Sequence, residues 1–331
     1  MADLGIDLGT ANTVVCHADD GILFDEPSVL LLRGARARRG RIVAIGREAS
    51  ELIGRAPVGL TAMRPLHDGV IVDLETAQLY LQAVLRRIAR RPWLRGRGRV
   101  VIGVPSGATT LERRALLEAA DEAGMSGTTV LDESIAGAVG CGIDPLERRV
   151  HMVVDVGGGT AEATAFCFGG VLASRSCRVA GDEMTVAVHQ HLREHHQLVV
   201  GEQAAEEVKV QAGFDVEPSL VVHGRDIGSG RPRLETIPVA EIAEVLRPIT
   251  DTIVRTLAGC LDDLPPQAAG DVLADGILIF GGAALTSGFD QGLERAFGLP
   301  VKRAENPLTC VAEGAARCLR SPGVLEAYGR S

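Results

Sequence analysis

Two short stretches of this chain repeat one arrangement, and the repeat constrains the fold more than any other feature. Asp7-x-Gly9-Thr10 ends one apolar strand, and Asp155-x-Gly157-Gly158-Gly159-Thr160 ends another near the middle of the chain. Each turn runs into a returning strand, as "GIDLGTANTVV" and "VHMVVDVGGGTAEATAF" read in full. More β and α patterns follow each copy. A strand, a glycine turn and a strand, twice over, predict a duplicated α/β fold with a cleft between the copies. A length of 331 residues suits two such units. The expected division is residues 1–150, with a smaller lobe at about 28–73, and residues 151–331.

The residue types at the turns point to one chemistry. Glycine permits close backbone approach and positive φ, and successive N–H groups in such turns make a concavity for anions, phosphate above all. Thr10, Asn12 and Thr160 add side-chain donors. A phosphate chain carries Mg²⁺, which hard oxygen ligands hold largely through waters, and Asp7 and Asp155 are placed for that. One such turn alone would be an ordinary hairpin. Two matched turns, with a third glycine turn Gly281-Gly282-Ala283 after the strand "ILIF", argue for a nucleotide. No G-x-x-x-x-G-K-[ST] and no helix-opening G-x-G-x-x-G occurs, which disfavours a P-loop or a dinucleotide fold.

Local patterns place the remaining elements. Helices are expected over residues 75–91, after the Thr109-x-x-Glu112 capping box, over "DESIAGAVG", from a cap at Asp182 to about His196, and over 240–258. "RVVIGVP" reads as a buried parallel strand, and Gly281-Gly282 is expected to open a helix. A net charge of −9 argues against nucleic acid as a partner. Seven scattered cysteines without a C-x-x-C read as reduced and mostly buried. With no leader and no bilayer-length apolar run expected, the predicted location is the cytoplasm.

The three turns, in this order and spacing, resemble the two phosphate motifs and the adenosine motif of the actin, Hsp70 and sugar-kinase ATPase superfamily. Within it the chain resembles the MreB family of bacterial actins. The segments "DEPSVL", "AIGREASELIGRAP", "RPLHDGVIVD", "VVIGVPSG", "ERRALLEAADEAG", "AGDEMTVAVHQHL", "VVGEQAAEEVK" and "NPLTCVAEGAARCL" carry the likeness along nearly the whole chain. The resemblance implies an actin-like fold, ATP or ADP with Mg²⁺ as ligands, and a last helix that returns to the first unit. Thr10, Ala11 and Asn12 would touch the β- and γ-phosphates, and Gly157, Gly158, Gly159 and Thr160 would cradle their other side. Asp7 and Asp155 would hold hydrated magnesium. Gly181, Asp182 and Glu183 would lie near the ribose, and Glu206 and Lys209 beside ribose and adenine. Gly281, Gly282 and Ala283 would flank the adenosine. Glu133 matches the family's water-positioning glutamate, with Thr160 assisting, although its position alone also suits an acid meeting a helix dipole. Asp132-Glu133-Ser134, Ala161 and Ala283 depart from the family pattern, and the Ala283 methyl is expected to crowd the nucleotide.

Two further stretches bear on partners. Trp93-Leu94 sits within "LRRIARRPWLRGRGR", where seven arginines surround the chain's one tryptophan. In the family a loop at this position dips into the membrane, and an interfacial Trp with cations suits anionic lipid. His191, Glu194 and His195 spell H-x-x-E-H, a zinc-protease pattern, but surface-helix histidines are the expected reading. The resemblance implies homopolymeric filaments on the inner face of the cell membrane, working with the cell-wall synthesis machinery. A small-molecule kinase or an Hsp70-like ATPase of the same superfamily is the alternative.

Overall fold

The computed structural model describes residues 3–34, 41–89, 98–213, 218–286 and 288–330. The chain opens with β1 (Leu4–Leu8), β2 (Asn12–His17) and β3 (Gly21–Pro27), each antiparallel to the one before. A small lobe follows, built from β4 (Leu30–Arg33), β5 (Arg41–Ile45), α1 (Arg47–Ser50) and β6 (Leu60–Met63). Its three strands pair as β5-β4-β6 over Val29, Leu31 and Ala49. A hairpin of β7 (Leu66–His67) and β8 (Val70–Ile71) leads to α2 (Leu74–Ile88), capped by the Asp73 carboxylate on Thr76 N–H at 3.0 Å. Then come β9 (Val100–Val104), α3 (Thr110–Glu122), β10 (Thr128–Asp132) and α4 (Glu133–Gly140). The capping box on α3 forms as its spacing predicts, with Thr109 and Glu112 bonding each other's backbone N–H at 2.7 and 3.2 Å.

The second copy repeats the first. It begins with β11 (His151–Val156), β12 (Ala161–Cys167) and β13 (Gly170–Cys177). A second lobe follows: α5 (Gly181–Glu194), β14 (Leu198–Val199), α6 (Glu202–Gly213), β15 (Ser219–Asp226), β16 (Pro232–Pro238) and α7 (Val239–Asp262). The chain ends with α8 (Pro266–Asp275), β17 (Ile277–Phe280), a 3₁₀ turn (Ala283–Leu285), α9 (Phe289–Phe297), β18 (Val301–Arg303), α10 (Cys310–Cys318) and α11 (Pro322–Tyr328). The two large sheets have orders β10-β9-β1-β2-β3 and β13-β12-β11-β17-β18. Each is an antiparallel meander with two parallel strands added on the far side of its first strand. The duplication read from the two turns is therefore a duplication of whole sheets.

The helices that close each copy are exchanged between the sheets. α10 follows the second sheet but lies against β1 of the first, and α4 follows the first sheet but lies against β11 of the second and Phe280 at the end of β17. Glycines make both contacts possible. A Cβ on Gly5 would stand 2.2 Å from Ala316 N, and one on Gly137 would meet the Phe280 ring at 2.3 Å. Where α4 and α10 cross, a Cβ on Gly314 would be 1.7 Å from the Ala136 carbonyl oxygen. Val101, Leu131, Ile135, Val153, Phe280 and Val311 fill the space between the sheets. Gly314→Ala is expected to lower the melting temperature sharply, at the upper end of the ~1–3 kcal/mol that overpacking costs. Gly292→Ala in α9, where a Cβ meets nothing within 4 Å, is expected to raise it, through ~0.5–1 kcal/mol of added stability. Thermal unfolding of the two variants side by side checks both signs.

Three local expectations need correction. The helix after residue 75 ends at Ile88 rather than 91. The N-cap of α5 is Ala180, not Asp182; Glu183 supplies the cap by accepting the Ala180 N–H at 2.7 Å. The turn at Gly281-Gly282 opens only a 3₁₀ turn, and α9 starts later, after Gly288 in the left-handed region.

Candidate nucleotide site

Side-chain alternation places the acids. In β1 the residues Gly5 and Asp7 share the face that meets α10, while Ile6 and Leu8 point into the first core. In β11 Val153 and Asp155 share the face toward the inter-sheet layer, and Val154 and Val156 enter the second core. Each carboxylate thus ends the inward face of its strand, at the mouth of the gap between the sheets. The two turns close alike: Gly9 N–H donates to Asn12 O at 3.0 Å and Gly157 N–H to Thr160 O at 2.9 Å.

The turns face each other. An open cleft is lined by Asp7, Thr10, Ala11, Asn12, Glu133, Asp155, the run from Gly157 to Thr160, and Gly281 with Gly282. A Cβ on Gly158 would stand 3.1 Å from Ala11 Cβ, and one on Gly159 would stand 2.7 Å from Thr10 Oγ1. Glycine is what lets the second turn approach the first. Gly281, at φ 89°, lies against Asp155, where a Cβ would meet Oδ1 at 2.5 Å. The β7–β8 hairpin crosses above, and Gly69 N–H donates to Thr10 Oγ1 at 2.9 Å. The hydroxyl of Thr10 keeps its own proton to donate.

Glu133 is the first residue of α4 and is buried. Its side chain lies over Gly103, where a Cβ would be 3.1 Å from Glu133 Cγ, and Gly103 is the register partner of Asp7. Acids from three elements are therefore gathered at one point. Burial raises the Asp7 carboxyl to about 7, with Asp25 adding to the effect. Burial also holds Asp155 and Glu133 well above the usual carboxylate range, and the neighbouring acids push the same way. Desolvated acids with no cation close by among the described residues are the donor set that a hard divalent ion suits. A triphosphate could share the cleft with these groups only with such an ion between them, so the residues fit Mg²⁺.

The remaining expected site residues fall in a second layer. Gly181 N–H donates to Gly157 O at 3.2 Å and Asp182 N–H to Gly158 O at 2.8 Å, so the start of α5 supports the second turn from behind. Lys209 is buried, donating to Gly181 O at 3.0 Å and pairing with Glu206 at 2.6 Å. Burial raises Asp182, against the pull of Arg64 and Lys209. Ala283 does not crowd the cleft: it is buried in the core of the second copy, so the expected clash of its methyl is corrected. Trp93 and Leu94 lie outside the described residues.

Glu162 escaped the sequence reading. It is buried on β12, where Oε2 accepts from Ser106 N–H at 3.0 Å and Oε1 from Gly107 N–H at 3.2 Å. One carboxylate thereby ties the second sheet to the loop after β9. The signal was an acid at an inward position in the small-residue strand "AEATAF". Burial, the dominant effect, raises its pKa above the usual 4.5. Folding thus favours its protonated form, and its contribution to stability is lost as pH rises from the unfolded value through the raised one. Glu162→Gln is expected to flatten that pH dependence of the melting temperature. It also sets an NH₂ against one backbone N–H, at a cost of ~1–3 kcal/mol. Further bonds bridge the two small lobes: Arg64 with Glu202 at 2.6 Å, and Gln203 with Ser50 Oγ at 3.0 Å.

Comparison with known proteins agrees with this geometry. A sequence profile described as MreB/Mbl protein matches residues 1–326. The cell shape-determining protein MreB of Escherichia coli K12 is 37% identical over 322 residues, covering 96% of this chain and 93% of that one. The cell shape-determining protein Mbl of Bacillus subtilis 168 is 35% identical over 316 residues, 94% of each. The crystal structure of MreB5 of Spiroplasma citri bound to AMPPNP superposes with a TM-score of 0.87 at 32% identity, covering 96% of both chains. A MamK double helical filament shares the fold, with a TM-score of 0.77 at 23% identity over 96% of this chain and 98% of that one. The fold is that of the actin-like ATPases, and the chain belongs to the MreB/Mbl family.

Proposed function

We propose that this protein binds Mg·ATP between its two acidic turns, hydrolyses it slowly, and assembles into cytoplasmic filaments that help determine cell shape. The carrying observation is the convergence of Asp7, Asp155 and Glu133 beside two facing glycine turns. In this reading the backbone N–H groups of Thr10 to Asn12 and Gly157 to Thr160 bind the phosphates from opposite sides. Asp7 and Asp155 would hold a bound magnesium ion through its waters. The ion, when bound, would neutralise phosphate charge. Glu133, with the Thr160 hydroxyl, orients a water on the γ-phosphate; positioning of this kind supplies most of the catalysis in phosphoryl transfer. Lys209 and Glu206 lie behind the start of α5 on the ribose side, and Gly281 and Gly282 give the adenosine a flat approach. MreB5 binding AMPPNP and ADP supports this ligand class.

The same nucleotide would bridge the two copies. Closing the cleft fixes their relative orientation, and a fixed protomer shape favours head-to-tail addition. High-speed sedimentation tests it: pellet with Mg·ATP and little without nucleotide is expected, and a chain that stays soluble in both would refute the filament.

The filament is further proposed to lie on the inner face of the cell membrane, through Trp93-Leu94 and the arginines around them, beside the cell-wall synthesis machinery. Among the described residues no helix is long and apolar enough to cross a membrane, so the proposal is surface contact. Trp93→Ala with Leu94→Ala is expected to abolish co-sedimentation with anionic vesicles while filaments still form without lipid. Unchanged vesicle binding would remove those residues from the contact.

A further inference from the structure

Of the histidines at the end of α5, His195 is exposed, but His191 and His196 are largely covered. His191 lies in the last turn of α5, and His196 follows after the helix has ended. Gln197, at φ 51°, then turns the chain into β14. Both rings aim Nε2 at one oxygen from another element. His191 Nε2 is 2.5 Å and His196 Nε2 is 2.6 Å from Oε1 of Glu241, in the first turn of α7. The two histidine side chains are only 15% and 16% exposed. Among the described residues this is the one group of three such side chains whose donor atoms all lie within 4.8 Å of one another. The H-x-x-E-H pattern is not what forms: Glu194 takes no part, and His195 stacks on His191 at 4.6 Å.

We propose that His191, His196 and Glu241 form a zinc site that ties the end of α5 to the start of α7. Two imidazoles and one carboxylate are the ligand set that suits zinc rather than magnesium or calcium. The His191 and His196 rings meet at 65°. Zinc bonds of ~2 Å require donor atoms about 3.3 Å apart. The Glu241 carboxylate, 32% exposed, has room to withdraw the fraction of an ångström needed. The second nitrogen of His196 also faces a carboxylate. Its Nδ1 lies 3.6 Å from Oε1 of Glu235, a carboxylate itself held by Arg233 at 3.3 Å. A carboxylate behind the far nitrogen is the usual support of a metal-bound histidine, and here it stands just beyond hydrogen-bond reach. Three protein ligands leave the fourth position to water. The site lies on the lobe that carries Glu206 and Lys209, so zinc would stiffen that lobe.

The test is calorimetric titration of the full reduced chain with ZnCl₂ in excess Mg²⁺, with melting temperatures read in parallel. One zinc per chain and a rise of several degrees are expected. The His191→Ala/His196→Ala pair and Glu241→Gln should each abolish this zinc uptake and the rise. His223→Ala, at an exposed histidine on β15, should keep both. Glu235→Gln is expected to weaken binding by about tenfold to a hundredfold. Circular dichroism of each variant confirms folding, and Co²⁺ gives a second readout in the wild type: a four-coordinate visible spectrum without thiolate charge transfer. No zinc uptake by the wild type overturns the site. So does uptake that survives in the folded histidine and Glu241 variants, which would assign the metal to the cysteines.

Discussion

Glu133→Gln is expected to leave ATP bound and almost unhydrolysed. The substitution keeps the size of the side chain and removes its ability to accept a proton or to fix water by charge. Glu133 is well placed to show this cleanly. It is the first residue of α4, and α4 is wedged between the sheets by Gly137 on Phe280 and by Gly314 of α10 on Ala136. The backbone at Glu133 is therefore not free to move when the side chain changes. Loss of a positioned acid or base costs about 10²–10⁴-fold, so phosphate release should fall by about a hundredfold or more with nucleotide affinity near wild type. Filaments should then persist after ATP addition instead of turning over. Turnover near the wild-type rate would assign the water to another group.

Asp7→Asn with Asp155→Asn is expected to move binding and stability in opposite directions. Without a cation, the charges of Asp7, Asp155 and Glu133 are desolvated together, and burial raises all three pKa values. Removing two of these charges relieves the folded state while keeping the shapes, so the nucleotide-free variant should melt several degrees higher than the wild type. Mg·ATP affinity should fall by at least about a hundredfold, ~3 kcal/mol. The melting experiment needs no nucleotide and separates the structural effect from the functional one. A variant that melts lower than wild type, or that still binds Mg·ATP with full affinity, contradicts the role given to the pair.

The turns were legible because each compresses strand, glycine and acid into a few adjacent residues. Asp7-x-Gly9-Thr10 and its counterpart at Asp155 implied the duplication, and the structure extends it to two sheets with the same strand order. The exchange of α4 and α10 was not legible from pattern: Gly5, Gly137 and Gly314 show their purpose only when their distant neighbours are known. Glu162 was missed for a related reason, since its partners Ser106 and Gly107 lie far away in sequence. Local chemistry misled at Asp182, which suits a helix cap, because Glu183 one residue later reaches Ala180 N–H instead. The adjacent histidines drew the eye to H-x-x-E-H, while the acid that meets them comes from α7.

The most direct test of the central claim is a crystal structure of this protein grown with Mg²⁺ and AMPPNP. The account predicts the phosphates between the two turns, in hydrogen-bond reach of backbone N–H groups from Thr10 to Asn12 and from Gly157 to Thr160, with Asp7 and Asp155 facing the metal's waters. Nucleotide bound elsewhere, or a cleft that stays empty of nucleotide at millimolar concentration, would contradict it.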